Sequence, residues 1–326
     1  MAENLVRRAV LTGIGRYLPA QVVSNDEMAR RVDTSDEWIT ERTGIRQRYF
    51  AAPHETAAFM GAEAARGALA AAGVDAGDVD GIILGTSTPD QAFPSTAVTV
   101  QALLGAKKAF GFDIAAACSG FIYALSVADA MIRAGQANNV LVIGSEVYSR
   151  ILNFEDRGTC VLFGDGAGAV LLQARDVAKD GAGVLSTHLH ADGTLGEMLY
   201  VDGAVGRPEM SGKLVMNGRE VFRHAVTLLA SAVNEALAAN GLTAADVNWL
   251  VPHQANRRII DGVGKKLGLP QERVVVTVDK HANTSAASVP LAMWEAWHDG
   301  RLRPGQLILL EALGGGLTWG SALLRL

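Results

Sequence analysis

The sequence predicts an α/β fold built from two similar halves, and three observations carry that reading. Short apolar runs rich in Val, Ile and Leu alternate with alanine-rich helical patterns, a pair of sequence blocks recurs half a chain apart, and 36 glycines accompany few aromatic residues. Apolar runs of this kind suit strands buried on both faces. Their alternation with helices builds mixed α/β layers, and small residues let those layers pack closely.

The segments 79–87, 139–146, 167–174, 247–254, 273–279 and 306–312 read as buried strands. Alanine-rich stretches near 62–73 and over 222–241 read as helices. The repeat is more informative. "GVDAGDVDGIILGT" from Gly73 and "GLTAADVNWLVPHQ" from Gly241 each follow a helix, carry Asp-Val five residues after the glycine and enter an apolar strand, 168 residues apart. "DIAAACSGFIYAL" from Asp113 and "DKHANTSAASVPL" from Asp279, 166 residues apart, each read as a strand end, small residues and then a helix. Two matches at nearly one offset predict two α/β halves whose equivalent loops meet, residues 1–174 carrying one and 175–326 the other. The stretch "QARDVAKDGAG" (173–183) is a weak boundary, so one rigid body is expected.

Composition removes several classes of function. A net charge of −5 and a pI near 5.8 provide no global field for nucleic acid or an anionic membrane. The apolar stretches are too short or interrupted for a membrane span, and "MAENLVRRAVLTGIGRYLP" lacks a signal-peptide core. Two cysteines 42 residues apart with no CxxC suggest neither a disulfide framework nor a zinc site. A cytoplasmic globular protein is expected.

Cys118 sits among Ala, Ser and Gly where a strand feeds a helix. A thiol there meets the helix dipole and free N–H groups, which lower its pKa; a small buried packing residue is the equal alternative. Cys160 reads as a core residue opening an apolar strand. His253, directly after a buried strand, is either a satisfied strand-end histidine or the imidazole that a thiolate needs. The following "QANRRI" starts a helix with few cap signals. Asn283 is a turn or cap residue or an amide donor beside the thiol, which the repeat places opposite. The triple glycine of "EALGGGLTWG" is a tight turn or a source of N–H groups for an oxyanion.

Other signals fail. "GIGRYL" lacks the third glycine of a dinucleotide fingerprint and "FGDGAGA" lacks the Lys-Ser/Thr of a phosphate loop. His188 and His190 share a strand face without an evident third metal ligand, and exposed strand histidines are expected. Arg258, Lys265 and Lys266 lie on an amphipathic stretch, as a solvated face or a local basic patch.

Taken together, "TSDEWITERTGI", "AFPSTA", "DIAAACSGF", "DRGTCVLFGDGAGA", "VPHQANRRI", "NTSAAS" and "GGGLTWGSALLRL" resemble the β-ketoacyl-acyl carrier protein synthase III family over almost the whole chain. The resemblance implies the thiolase fold, a duplicated five-layer α/β/α/β/α arrangement, and a cytoplasmic homodimer. It implies Cys118 as acylated nucleophile, His253 and Asn283 as its partners, and the N–H groups of Cys118 and Gly315 as oxyanion hole. Trp38, Arg42 and Arg157 match positions that contact coenzyme A, and Phe93 matches one reaching the partner subunit's acyl pocket. Arg258, with Lys265 and Lys266, matches a docking surface for acyl carrier protein. An acyl-CoA thioester is then a substrate, with no metal or redox cofactor required.

Leu313 and Leu317 stand where phenylalanine is frequent in that family, which leaves the acyl pocket's shape unfixed with acetyl-CoA as the default primer, and Ala282 stands where glycine is frequent. A secondary-metabolism ketosynthase or acyltransferase, a plant-type polyketide synthase and a non-catalytic carrier-protein binder are competing readings. A thiolase would need a second cysteine where Gly315 stands. A papain-like hydrolase has the same residue order without the duplication.

Overall fold

A computed structural model describes residues 5–326; the first four residues of the stretch searched for a signal segment lie outside them. Strand β1 (Val6–Tyr17) is followed by β2 (Gln21–Ser24), which pairs with β3 (Gln47–Phe50) around helices α1 (Asn25–Ala29) and α2 (Asp36–Thr43). Helix α3 (Ala57–Ala72) leads to β4 (Gly81–Gly85), α4 (Thr96–Leu104) to β5 (Phe110–Ile114), and α5 (Gly120–Arg133) to β6 (Asn139–Val147). A short α6 (Arg157–Cys160) precedes β7 (Asp165–Val177), and β8 (Gly183–Ala191) opens the second half. A ribbon of β9 (Leu199–Val201) and β10 (Leu214–Met216) precedes α7 (Gly218–Ala239), β11 (Trp249–Pro252) and α8 (Arg257–Lys266). The chain closes with α9 (Val278–His281), α10 (Ser288–His298), β12 (Leu307–Gly314) and β13 (Thr318–Arg325).

The two large sheets have one topology. The first runs β5-β4-β6-β7-β1, with β5, β4 and β6 parallel and β7 and β1 antiparallel to their neighbours. The second runs β11-β12-β13-β8 with the same senses for β4-β6-β7-β1. Outside β11, where the second sheet would have a β5 equivalent, lies a single parallel bridge between Leu250 and Val274. The expected strand over 273–279 is therefore replaced by one bridge. The reason is Gln254: its Oε1 accepts the Thr277 and Val278 N–H groups at 2.7 and 3.0 Å, and its Nε2 donates to the Val275 carbonyl at 3.1 Å. A side-chain amide does the work of a neighbouring strand, and the chain turns into α9.

Helices α3 and α4 cover the outer face of the first sheet, α7 and α8 that of the second, and α5 and α10 lie between the sheets. This is the five-layer arrangement, with separate apolar clusters filling the centre and the two outer interfaces. Ser35, Thr56, Ser95, Asn217 and Asn256 cap α2, α3, α4, α7 and α8 by accepting an N–H in the first turn. Asn256 thus supplies the cap that "QANRRI" seemed to lack. The central helices differ: no side chain caps α5 or α10. Among the described residues no helix is long and apolar enough to cross a membrane.

Two sequence expectations need correction here. Cys160 does not open a strand but ends α6, whose first turn Asp156 caps through Gly158 N at 3.0 Å; it is buried, as a core residue should be. His188 and His190 are not free surface groups, since both engage Glu235 of α7, at 3.2 and 2.6 Å, and His190 stacks on Trp319.

The central layer sits close to the first sheet because glycines line the contact. A Cβ on Gly144 would be driven into the Ala286 carbonyl, and one on Gly85 would stand 2.5 Å from the Gly120 carbonyl carbon. Since backbone cannot yield as a flexible side chain can, Gly144→Ala should cost about 2–3 kcal/mol. Urea unfolding should show a lower midpoint at unchanged m-value.

Candidate active site

The duplication brings two strand-to-helix turns together in the central layer. Residues 117–119 lead into α5 and residues 285–287 into α10, again 168 apart. At equivalent positions Ala117 and Ser285 have φ of 45° and 51°, and Ala282 has 58°. Three non-glycine residues in the left-handed region thus flank Cys118 and Asn283. Each such residue costs on the order of 1–3 kcal/mol, which surrounding structure has to offset.

Cys118, His253 and Asn283 line one cavity that also borders Gly158, Leu162, Phe163, Leu199, Met216, Val221, Ala225, Asn256 and Leu313. Cys118 is 3 % exposed. Burial, with the Glu146 carboxylate adding to it, pushes its thiol up to about 12 despite hydroxyls of Ser285 and Tyr148 that favour the thiolate. The depressed pKa expected from a helix start is therefore overridden in the resting site by loss of water.

His253 is aimed by two bonds. Its backbone N–H donates to the Glu311 carbonyl at 2.8 Å, and its Nδ1 lies 2.6 Å from Ser288 Oγ. Ser288 Oγ also accepts the Gln254 N–H at 3.3 Å, so its own proton is available for Nδ1. That assignment leaves the His253 proton on Nε2, facing the cavity as a donor. Burial holds the imidazole down to about 3, so it is neutral at pH 7. Asn283 is oriented in the same way: its Oδ1 accepts Ser285 N at 2.9 Å, which leaves its NH₂ for the cavity.

The triple glycine connects β12 to β13 and is a turn, with Gly316 at φ 129°. It also approaches Cys118, because a Cβ on Gly314 would lie 2.5 Å from Cys118 N. Neither Cys118 N–H nor Gly315 N–H has a backbone acceptor among the described residues.

The remaining expected residues divide. Trp38, Arg42 and Arg157 come together: the two guanidinium carbons stand 4.5 and 5.3 Å from the indole centroid, and Arg157 Nη1 donates to the Asp33 carbonyl at 2.8 Å. Gly158, next in the chain, borders the cavity. Leu313 lines the cavity, but Leu317 is fully buried in the core beside it and does not border it. Phe93 is 84 % exposed on the 86–95 loop and touches no part of this chain's cavity. Arg258, Lys265 and Lys266 are exposed on α8, with Lys266 Nζ 3.1 Å from Thr227 Oγ1.

Sequence reasoning missed Ser288, Gln254, Ser285 and Glu146. Only Glu146 had a legible signal, an acid inside the apolar strand "NVLVIGSEV".

A cysteine-centred pocket at the uncapped start of a central helix, between two repeated sheets, defines a condensing enzyme of the thiolase fold. Residues 112–193 match the family described as 3-oxoacyl-[acyl-carrier-protein (ACP)] synthase III, and residues 237–326 match its C-terminal part. The chain is 68 % identical over 320 residues to beta-ketoacyl-[acyl-carrier-protein] synthase III of Acidiphilium cryptum, covering 98 % of this chain and 100 % of that one. It is 64 % identical to the same-named protein of Granulibacter bethesdensis, with 98 % and 100 % covered. The crystal structure of 3-oxoacyl-[acyl-carrier-protein] synthase III from Aquifex aeolicus superposes with a TM-score of 0.93 at 48 % identity over 98 % of this chain and 100 % of that one. The chain belongs to the 3-oxoacyl-[acyl-carrier-protein] synthase III family.

The buried imidazole has a consequence for stability. An unfolded histidine titrates near 6.5, and His253 in the fold near 3. Between these values the unfolded state binds more protons, so stability is intact above about 6.5 and falls as pH drops toward 3. The slope is about 1.4 kcal/mol per pH unit from this residue. His253→Gln should remove that part of the acid destabilisation, read as the difference between two pH series of urea midpoints.

Proposed function

We propose that this chain catalyses the initiating condensation of fatty-acid synthesis: an acyl-CoA, acetyl-CoA by default, and malonyl-acyl carrier protein give 3-oxoacyl-carrier protein, CO₂ and CoA. The observation that carries the reading is the convergence of Cys118, His253 Nε2 and the Asn283 NH₂ on one cavity.

In the first half-reaction Cys118 sulfur attacks the thioester carbonyl. The unpartnered N–H groups of Cys118 and Gly315 receive the developing oxyanion, and coenzyme thiolate leaves. In the second, malonyl-carrier protein occupies the same cavity and loses CO₂. The enolate oxygen that forms is met by two neutral donors, His253 Nε2–H and the Asn283 amide. A neutral imidazole suits this role, because it presents the Nε2 proton without placing a further charge in a buried site. The carbanion then attacks the acyl-cysteine and forms the new C–C bond.

Outside the cavity, the Trp38 indole and the guanidinium groups of Arg42 and Arg157 suit the adenine and phosphates of coenzyme A. The cations Arg258, Lys265 and Lys266 suit an acidic carrier protein. Exposed Phe93, with Val98 and Leu103 on the adjoining helix, suits burial against a second copy, giving a homodimer. Two free cysteines agree with a reducing cytoplasm. The halves 1–174 and 175–326 then divide the labour, the first bringing the nucleophile and the second the enolate donors.

The test is intact mass after incubation with acetyl-CoA, followed by product analysis on adding malonyl-carrier protein. Wild type should gain one acetyl group and Cys118→Ala none; absence of the wild-type adduct would sink the reading. His253→Ala and Asn283→Ala should each lose about 10²–10³ in decarboxylation with a smaller loss in acylation. Trp38→Ala should raise KM for the acyl-CoA more than it lowers kcat, as expected where only uniform binding is removed.

A further inference from the structure

Glu146 is a fully buried carboxylate with no cation paired to it among the described residues. It is held by neutral donors instead. Thr86 Oγ1 and Thr88 Oγ1 donate to its Oε2 at 3.1 and 2.6 Å, and Ser87 N–H spans both oxygens at 3.1 and 3.0 Å. Ser87 Oγ and Ser285 Oγ donate to its Oε1 at 3.2 and 3.0 Å. Ser285 comes from the other half of the chain, and its hydroxyl also meets Tyr148 OH at 3.1 Å; its turn packs against the turn that carries Cys118, where the hydroxyl favours the thiolate. Ser285 therefore stands between the turn that carries Cys118 and a buried carboxylate that its hydroxyl bonds.

We propose that Glu146 takes up the Cys118 proton through the Ser285 hydroxyl when the thiol attacks the acyl thioester, holds it while the acyl-enzyme lasts, and returns it when condensation expels the cysteine. The inference rests on the reaction proposed above. Glu146 touches neither substrate nor sulfur, so it is a positioning residue that acts through Ser285.

The step balances. The Cys118 S–H bond breaks and its proton goes to Ser285 Oγ, as the Ser285 hydroxyl proton passes to Glu146 Oε1. The sulfur electron pair forms the new S–C bond, the C–S bond to coenzyme A breaks, and the coenzyme thiolate leaves with that pair to be protonated by solvent. In condensation the carbanion forms the C–C bond, and Cys118 leaves with the S–C pair. It recovers a proton from Ser285, which Glu146 reprotonates. One solvent proton is consumed per turnover, matching the charge lost as the malonyl carboxylate departs as CO₂.

Charge distinguishes this acceptor from His253. Passing the thiol proton to a neutral imidazole creates two buried charges from none. Passing it to Glu146 only moves one existing negative charge from carboxylate to sulfur, which a dry site tolerates far better. Burial raises the Glu146 carboxyl toward the range where it can hold a proton. The titratable groups facing it are Cys118 from its turn and Tyr148, just beyond its own strand; the 86–88 segment after β4 presents hydroxyls and a backbone N–H, and Ser285 a hydroxyl.

The test is the pH profile of Cys118 acetylation by acetyl-CoA, followed by rapid quench and intact mass. In wild type the rate should fall at acid pH, as Glu146 becomes protonated, and level off above. In Glu146→Gln it should drop about 100-fold near pH 7 and climb about tenfold per pH unit, because the thiolate must now form through hydroxide. Ser285→Ala should reproduce that slope, and the double variant should lose no more than either single one. A wild-type plateau retained in Glu146→Gln, or in Ser285→Ala if the former does not fold, would overturn the role, as would additive losses. No acetyl adduct on wild type would instead remove the reaction itself.

Discussion

The touching of two strand-to-helix turns in the central layer is the constraint on which the rest of the structure depends. One turn carries Cys118 and the other Asn283 and Ser285, and each belongs to a different sheet's connection. They meet only because Gly85, Gly120 and Gly144 remove side chains from the contact and because Ala117 and Ser285 accept a left-handed backbone. Those conformations are unfavourable locally. They persist because the turns are gripped from both sides: Asn283 N–H by the Leu162 carbonyl, Ser285 by Glu146, and Ala116 O by the Thr318 hydroxyl. Two halves that each fold a strand, a turn and a helix thereby produce, at their seam, a site that neither contains.

Burial shapes the electrostatics of that seam. Loss of solvent keeps the thiol protonated and the imidazole neutral in the resting state, so the site stores few charges. Its polar groups are fixed by backbone and hydroxyl partners rather than by ions: Ser288 and the Glu311 carbonyl aim His253, and the Ser285 N–H aims Asn283. Fixed dipoles need little reorganisation when charge develops on a substrate oxygen, and in a dry pocket each is worth more than in water. The same burial makes the route of the Cys118 proton matter, since a charge left unpaired there is costly.

The fold was legible to the extent that it is periodic. Five of six anticipated strands are present, because runs such as "GIILG" and "LILLEALG" are buried on both faces and show it in composition. The segment 273–279 has the same composition and is not a strand, because Gln254 intercepts its donors, a long-range side-chain event invisible in a local apolar run. Cys160 was misplaced for the related reason that an Asp156 cap makes a four-residue helix too short to show a period.

The sequence by itself determined the duplication and the alternation of strands and helices, which follow from residue type and spacing along one chain; those left Cys118, His253 and Asn283 as candidates, which only the resemblance of the motifs to a family singled out. Tertiary structure decided how they act. It chose the His253 tautomer through Ser288, kept Leu317 out of the cavity that Leu313 lines, and placed Glu146 behind the thiol through a serine 139 residues away. Protonation and aim depend on which groups share a dry space, and that sharing arises only when the two halves close on each other.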